Sequence, residues 1–443
     1  MSKLTFRGGI HPYDGKDISK DRPVKKVLPK KQLVFPMSQH IGAPAEPAVE
    51  KGDKVFVGTV LGKANGFISA NVISSVSGEV VAVEPRLTVS GSKVLSVIVE
   101  NDEEYTPLEG LFADRDVEKM SKEEIRQAIK DAGIVGMGGA GFPTHVKLTP
   151  KNEDEIEYVL VNGAECEPYL TSDYRMMMEV PEQIVAGLSV ILKLFDHAKG
   201  IIAVEDNKLD AVLKLQEAAK DEDNIEIKVL KTKYPQGAER QLIYASTGRK
   251  MNSKMLPADA GCVVDNIDTV ISIYQAVCKT TPLIRRIVTV TGDAIGTPQN
   301  YEVKTGMSYA ELLEEAGGFI RQPEKIISGG PMMGIALFDL HIPITKTSSA
   351  LLAFTKDMVS EYEPTACIRC GRCVSVCPSR LIPQKMMEYS DYFDDKGFEA
   401  IHGMECYECG TCTYVCPAKR RLTQSFKQTR RSILDNRRKE AAK

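Results

Sequence analysis

Eight cysteines toward the C-terminal end of the chain fall into two identical runs. Cys367, Cys370, Cys373 and Cys377 with Pro378 read C-x2-C-x2-C-x3-C-P, and Cys406, Cys409, Cys412 and Cys416 with Pro417 repeat the pattern. Three thiolates at this spacing wrap three corners of a cubane, and the fourth, held back beside a proline, crosses to the other cluster. The spacing therefore predicts two [4Fe-4S] clusters. One is held by Cys367, Cys370, Cys373 and Cys416, the other by Cys377, Cys406, Cys409 and Cys412. Paired C-x2-C elements also suit tetrahedral zinc, but a third C-x2 step followed by x3-C-P, twice over, is not the usual zinc layout. Clusters of this kind handle single electrons.

A glycine-dense stretch, GIVGMGGAGFPTHVK, runs over 133–147. Its core contains Gly136, Gly138, Gly139 and Gly141 and satisfies G-x-G-x-x-G. The dinucleotide fingerprint needs a strand before it and a helix after it. Here a helical pattern precedes, and Phe142-Pro143 follows at once, so the ordinary Rossmann reading fails. Glycines at this density still expose backbone N–H groups and let a planar or phosphorylated ligand approach the main chain. A tight interdomain turn is the plainer alternative. His11, His40 and His145 show no pairing at metal spacing, and Cys262 and Cys278 sit in apolar context as structural residues.

These groups need elements to position them. At 443 residues, a prior of about 150 residues per domain suggests three domains or so. The first hundred residues read as short Val-rich strands (54–60, 78–83, 94–99) between Gly, Asn and Ser turns. The strings VEKGDKVFVGTVLGK (49–63) and ISSVSGEVVAVE (73–84) resemble the barrel-sandwich fold of biotinyl and lipoyl carrier domains. The expected hairpin tip, 65–71, has no lysine, so the fold is expected without a prosthetic arm; Lys63, the nearest lysine, reads as a surface residue. Ser121 followed by Glu124 opens a helix with Ile125, Ala128 and Ile129 on its apolar face. From about 120 to 280 helical patterns alternate with buried strands, an α/β arrangement. Near Arg286 the order becomes strand, strand (around 301–303), then a helix opened by Ser308 and Glu311 and closed at Gly317-Gly318, which suggests a β-grasp module.

Three further strings accompany the glycine loop: YVLVNGAECEPYLTSDYRMM (158–177), YPQGAERQLIYASTG (234–248) and GCVVDNIDTVISI (261–273). In this order the four strings resemble the flavin and NADH domain of the complex I flavoprotein subunits. The chain as a whole resembles the C-subunit family of Rnf complexes, membrane-bound ferredoxin:NAD oxidoreductases. The resemblance implies a multidomain α/β protein. Its parts would be a barrel-sandwich hybrid at 1–105, an FMN/NADH-binding α/β domain at 106–285, a β-grasp module at 286–345, a two-cluster ferredoxin-like helical domain at 360–425 and a basic tail at 426–443.

The same resemblance implies the site. Gly136, Gly138, Gly139 and Gly141 would lie against FMN, with Lys147 reaching its phosphate. Asn162, Glu165, Cys166 and Glu167 would line the isoalloxazine pocket, and Asp265 and Asn266 would face it from the opposite wall. Phe142, Glu167, Tyr234 and Glu239 would meet NAD(H), the substrate. Departures from the complex I pattern fall at Met137, Ala164, Cys166, Ala238 and Arg240. A cysteine at 166 beside a flavin invites a catalytic thiol reading, but free Cys often serves as a small packed residue, and that reading is favoured here.

The implied activity is electron transfer between the clusters and NAD through FMN, with no acid–base catalytic residue required. The implied partners are the other Rnf subunits, among them membrane subunits and an iron–sulfur subunit that accepts electrons from ferredoxin. Two alternatives stand beside this reading: a cobalamin reductase-type flavin and iron–sulfur protein, and a flavin-free iron–sulfur wire. The N-terminal barrel argues against the first.

Clustered free thiolates demand a reducing compartment. The opening MSKLTFRGGIHP lacks a signal-peptide core. The richest apolar stretch, 184–195, is interrupted by Lys193 and too short to span a bilayer. The expectation is a peripheral protein on the cytoplasmic face of the membrane. Net charge is −3, yet residues 418–443 carry ten basic against two acidic residues, a local +8. Such a tail suits anionic lipid or an acidic protein as well as a solvated helix end. Nucleic acid is not among the expected partners.

Overall fold

The computed structural model describes residues 4–441. Near the N-terminus two small antiparallel sheets share one core. Leu33–Pro36, Lys93–Asn101, Gly78–Leu87 and Lys54–Val55 form the first, and Glu46–Pro47, Val60–Lys63 and Val72–Ile73 the second. Alternation along the strands places Leu33, Phe35, Leu61, Val80, Val97 and Val99 between the sheets, all fully buried. Each such side chain contributes about 1.5–3 kcal/mol of burial free energy, which is how short strands hold together here.

The middle of the chain forms a four-stranded parallel sheet in the order Ile225–Leu230, Lys199–Glu205, Tyr158–Gly163, Cys262–Asn266. Both faces of the inner strands are covered, so Tyr158–Gly163 and Lys199–Glu205 read as apolar runs, whereas the edge strand Ile225–Leu230 alternates. Val159 and Val161 face a core shared with helices Lys122–Asp131, Ser172–Glu179, Pro181–Leu192, Leu209–Ala218 and Ile267–Lys279. Leu160 faces the other way, toward helix Glu239–Thr247. The expected capping box closes the start of Lys122–Asp131: the Ser121 hydroxyl accepts from the Glu124 N–H, and the Glu124 carboxylate accepts from the Ser121 N–H. The strand order reverses between Tyr158–Gly163 and Cys262–Asn266. In open α/β sheets, ligands bind in the crevice that such a reversal opens at the carboxyl ends of the strands.

The third unit is a six-stranded mixed sheet, ordered Lys25–Lys26, Gln299–Lys304, Arg285–Thr291, Ala350–Phe354, Lys325–Ser328, Ile335–Ala336. The span 286–345 expected for this module stops short of Ala350–Phe354, which lies inside the sheet between Arg285–Thr291 and Lys325–Ser328. Its residues 350–353 are fully buried, so the strand is held by packing on both sides rather than by any local turn signal. Lys25–Lys26 joins the edge from far away in sequence.

The C-terminal unit is helical. Leu381, Met386, Phe398, Leu422, Phe426 and Ile433 form its core. Helix Leu422–Ala441 runs through the expected boundary at 425/426 without a break. Leu422, Phe426, Thr429 and Ile433 recur at helical spacing and are buried, so this stretch is packed structure as well as basic surface. Among the described residues no helix is long and apolar enough to cross a membrane.

Candidate functional site

The parallel sheet delivers three of the four strings to one edge. Asn162 ends strand Tyr158–Gly163 and leads into Glu165, Cys166 and Glu167; Asp265 and Asn266 end the neighbouring strand; the loop after Ile225–Leu230 carries Tyr234 to Glu239. The glycine loop enters from beyond the sheet. Met137 N–H donates to the Thr269 hydroxyl at 3.0 Å, and Gly136 N–H to the Phe142 carbonyl at 2.9 Å. A Cβ at Gly138 would stand 2.9 Å from the Asn266 Cβ, so only glycine allows this approach. A Cβ at Gly139 would meet nothing within 4 Å, and 138–140 are exposed. The loop is therefore pinned on one side and open on the other.

Asn266 caps helix Ile267–Lys279 by accepting from the Asp268 N–H at 2.9 Å. Its amide donates to Asp173 Oδ2 at 2.7 Å, and the Asp173 N–H donates to Glu165 Oε1 at 2.7 Å. Burial pushes the Asp173 carboxyl up to about 8, with Glu165 and Asp268 adding to the shift. Lys147 Nζ donates to the Val264 carbonyl at 2.8 Å and to Asp265 Oδ1 at 3.3 Å. Burial raises the Asp265 and Glu239 carboxyls, and the Lys147 ammonium opposes both shifts.

Asn162 and Cys166 hold the third loop. Asn162 Nδ2 donates to the Gly237 carbonyl at 2.8 Å, and Cys166 Sγ accepts from the Gly237 N–H at 3.3 Å. Burial pushes the Cys166 thiol up to about 12, the direction that favours the thiol over the thiolate. Glu167 accepts from the Met332 N–H at 3.2 Å, which brings the six-stranded unit against this edge, and burial holds its carboxyl up at about 7.

Among the described residues several buried polar atoms here lack a partner: Glu167 Oε1, Asp265 Oδ2 and both side-chain amide atoms of Gln236. Buried polar groups are nearly always bonded, so a cluster of unpaired ones marks where a polar ligand belongs. The open face at Gly139 and the strand-order reversal lie at the same place. These features fit a flavin.

Two lysines absent from the expected site shape it. Lys16 is buried, and its Nζ donates to the carbonyls of Glu165 at 2.9 Å, Glu167 at 3.1 Å and Leu170. Lys208 Nζ donates to the Ala164 carbonyl at 2.8 Å. Together they fix a loop in which Glu165 and Tyr169 adopt positive φ, a conformation that residues other than glycine adopt only under constraint. Tyr234, expected to meet the nucleotide, also reaches the cysteine runs. It is buried, and its hydroxyl donates to the Cys409 carbonyl at 2.8 Å.

That bond leads to the cysteine runs. Cys377, Cys406, Cys409 and Cys412 line one cavity, and Cys367, Cys370, Cys373 and Cys416 line a second. The thiols of each set surround a space; among the described residues no three His, Cys, Asp or Glu side chains are placed to hold a single metal ion. Sulfur donors spread around a cavity suit the corners of a cubane, whereas one tetrahedral zinc draws its sulfurs to about 2.3 Å from a point. The sets differ in depth. Cys409 is buried with Tyr234 and Ile10 at the flavin-domain junction, Cys412 is buried in the core of the helical unit, and Cys367 and Cys370 are exposed.

Family models match along the chain: the RnfC barrel sandwich hybrid domain at 4–104, the Nuo51 FMN-binding domain at 129–275, the SLBB domain at 287–336 and a 4Fe-4S dicluster domain at 366–419. The FMN and two-cluster expectations are thereby met at the level of domains. The chain is 46% identical over 435 residues to the C subunit of the Na(+)-translocating ferredoxin:NAD(+) oxidoreductase complex of Acetobacterium woodii, covering 98% of each chain. It is 42% identical over 382 residues to the C subunit of the proton-translocating ferredoxin:NAD(+) oxidoreductase complex of Clostridium ljungdahlii, covering 86% of this chain and 83% of that one. Among solved structures, an NAD+-reducing [NiFe]-hydrogenase chain in the air-oxidized state is similar in fold, with a TM-score of 0.53 at 20% identity. That match covers 74% of this chain and 65% of the hydrogenase chain. With near-complete coverage at this identity, and with all four units in the expected order, the chain belongs to the family of C subunits of the Rnf-type ferredoxin:NAD(+) oxidoreductase complexes.

Proposed function

We propose that this chain carries electrons between its two iron–sulfur clusters and NAD through FMN, as the peripheral C subunit of an ion-translocating ferredoxin:NAD(+) oxidoreductase. NAD exchanges electrons only as a hydride pair and a [4Fe-4S] cluster only singly; bound flavin converts one into the other, and that chemistry belongs to the cofactor. The residues of this chain bind, orient and connect. Gly139 presents open backbone to the flavin, Gly138 lies against Asn266, and Gly136 and Gly141 are buried where they shape the loop. Asn162, Glu165, Cys166, Asp265 and Asn266 wall its pocket, and Lys147 is near enough to the loop to serve its phosphate. Phe142, Glu167 and Glu239 stand at the same edge for the nucleotide.

One observation carries the order of transfer: Tyr234 donates to the Cys409 carbonyl, so the second cysteine set abuts the flavin fold while the first set faces outward. Electrons therefore pass between a partner, the cluster of Cys367, Cys370, Cys373 and Cys416, the cluster of Cys377, Cys406, Cys409 and Cys412, FMN and NAD, in that sequence or its reverse. The partners in this reading are the membrane subunits and an iron–sulfur subunit that takes electrons from ferredoxin, and the chain sits on the cytoplasmic face. The test is anaerobic purification followed by mixing with NADH. Acid-extractable FMN at one per chain and flavin bleaching that precedes cluster bleaching support the reading. A preparation with both clusters, no FMN and no response to NADH contradicts it.

A further inference from the structure

The two cysteine runs are related by more than their spacing. Ile368-Arg369-Cys370-Gly371-Arg372 in the first corresponds to Tyr407-Glu408-Cys409-Gly410-Thr411 in the second. Arg369 and Glu408 have φ of 56° and 57°, and Gly371 and Gly410 have φ of 74° and 82°. The Arg369 N–H donates to Cys367 Sγ at 3.4 Å and the Glu408 N–H to Cys406 Sγ at 3.3 Å. These are two copies of one loop.

Their surroundings are opposite. The second loop is an interface within the chain. The Tyr407 hydroxyl accepts from Gln241 Nε2 at 2.9 Å, the Arg240 guanidinium stands 5.0 Å over the Tyr407 ring, Thr411 is buried, and Cys409 receives the Tyr234 hydroxyl. Its acids are neutralised: Glu405 by Arg240 at 2.9 Å and Glu408 by Arg430. In the first loop every corresponding position is bare. Residues 358–372 are exposed throughout, with Ile368 at 66% and Val374 at 38%. Arg369 and Arg372 form no ion pair among the described residues, whereas Arg420, which lines the same cavity, pairs with Asp391 at 2.8 Å and Lys419 Nζ stands 4.1 Å over the Tyr362 ring. The loop thus repeats a shape that docks a redox domain, with an apolar centre and with Arg369 at the position of Glu408; Glu361 and Glu363 lie upstream in the same exposed stretch, and 367–374 itself is basic.

Resting on the cluster assignment above, we propose that loop 367–374 is the docking surface for an acidic iron–sulfur electron carrier, seated on the first cysteine set as the flavin domain is seated on the second. In each encounter one electron leaves the carrier's cluster and enters the cluster of the first set; no bond forms and no proton moves at this step. Two encounters, with one proton taken from solvent, supply the pair that converts NAD+ to NADH. A basic rim speeds such encounters and makes them sensitive to salt.

The experiment uses the full chain with both clusters and FMN, and an acidic two-cluster [4Fe-4S] ferredoxin as the probe. Association is measured across a salt titration for the parent chain, for Arg369→Glu with Arg372→Glu, and for Arg431→Glu, an exposed site on helix Leu422–Ala441. The expected result is that the double variant binds about tenfold more weakly or worse at low salt and loses most of its salt dependence, with Arg431→Glu like the parent. Should iron content fall in the double variant, Arg372→Gln alone is read by the same criteria. Parent-like binding by the loop variant, equal loss in both variants, or self-association of the chain through this loop overturns the proposal. Reduction of FMN by NADH in the same samples reports separately on the function proposed above.

Discussion

Tyr234 ends the flavin-domain loop with its hydroxyl 2.8 Å from the carbonyl oxygen of Cys409, a residue of the second cysteine set. Both residues are buried, and Ile10 packs with them from the N-terminal segment. A buried hydroxyl bonded to a cluster-loop carbonyl fixes the spacing of two redox units. Tyr234→Phe removes the donor and leaves that carbonyl unpaired, which costs about 1–3 kcal/mol. We expect intact cofactors, unchanged reduction of FMN by NADH in rapid mixing and slower reduction of the clusters. Slowing of the NADH step with normal cluster reduction would instead return Tyr234 to the nucleotide site.

The glycine loop separates binding from folding. Gly139→Val places its side chain in open space, so the fold should hold, whereas a side chain at Gly138 must displace Asn266. The expected outcome for Gly139→Val is loss of nearly all FMN with full iron and sulfide content and a melting temperature within a few degrees of the FMN-free parent. Stoichiometric FMN in this variant would mean that the loop does not face the ring system.

Glu167 gives a pH signature. Burial raises its carboxyl from the usual 4.5 to about 7. A raised acid stabilises the fold in its neutral form; that contribution is complete below about pH 4.5 and is lost as pH rises through about 7. Glu167→Gln keeps an acceptor for the Met332 N–H and has no charge to bury. Relative to the parent, its melting temperature should gain as pH rises from about 5 to about 8, by the equivalent of at most about 3 kcal/mol. Parallel pH profiles for the two proteins would show that Glu167 titrates normally.

The basic tail calls for a gentler test than truncation. Removing residues from 428 onward would strip Thr429 and Ile433 from the core and break the ion pairs of Arg430 with Glu408 and Arg437 with Glu399. Replacing the exposed Arg431, Arg438 and Lys439 with Gln leaves that core in place. If the helix holds an anionic surface, each replacement weakens attachment by about 1 kcal/mol, read as release from membranes at lower salt with cofactors intact. Unchanged release across the titration assigns the exposed face to solvent alone.

How far the sequence could be read depended on whether the determining contacts were local. The cysteine runs and the Ser121–Glu124 capping box are patterns within a few residues, and both are visible in the structure, the runs as two cysteine sets lining two cavities. The buried stripe of Leu422, Phe426, Thr429 and Ile433 was equally local, but the charge around it drew attention to the surface instead. Lys16 and Lys208 carry no such pattern: each serves backbone carbonyls supplied by a loop 44 or more residues away in sequence. Lys346 is a third case, donating to the carbonyls of Asn71 and Gly133 and so binding the barrel to the start of the glycine loop. Strand Ala350–Phe354 escaped for the same reason, since its place is set by partners far along the chain.

A pair of single substitutions tests the order of the redox units. Cys416→Ser removes the fourth ligand of the outward set, and Cys377→Ser that of the set beside the flavin. The measurement is electron paramagnetic resonance of each anaerobically purified variant after NADH addition, with dithionite reduction counting the clusters present. The account predicts that NADH still reduces the remaining cluster in Cys416→Ser. In Cys377→Ser it reduces FMN but leaves the remaining cluster oxidised, although dithionite reduces it. Rapid reduction of the remaining cluster by NADH in Cys377→Ser, with its failure in Cys416→Ser, would reverse the order and contradict the account.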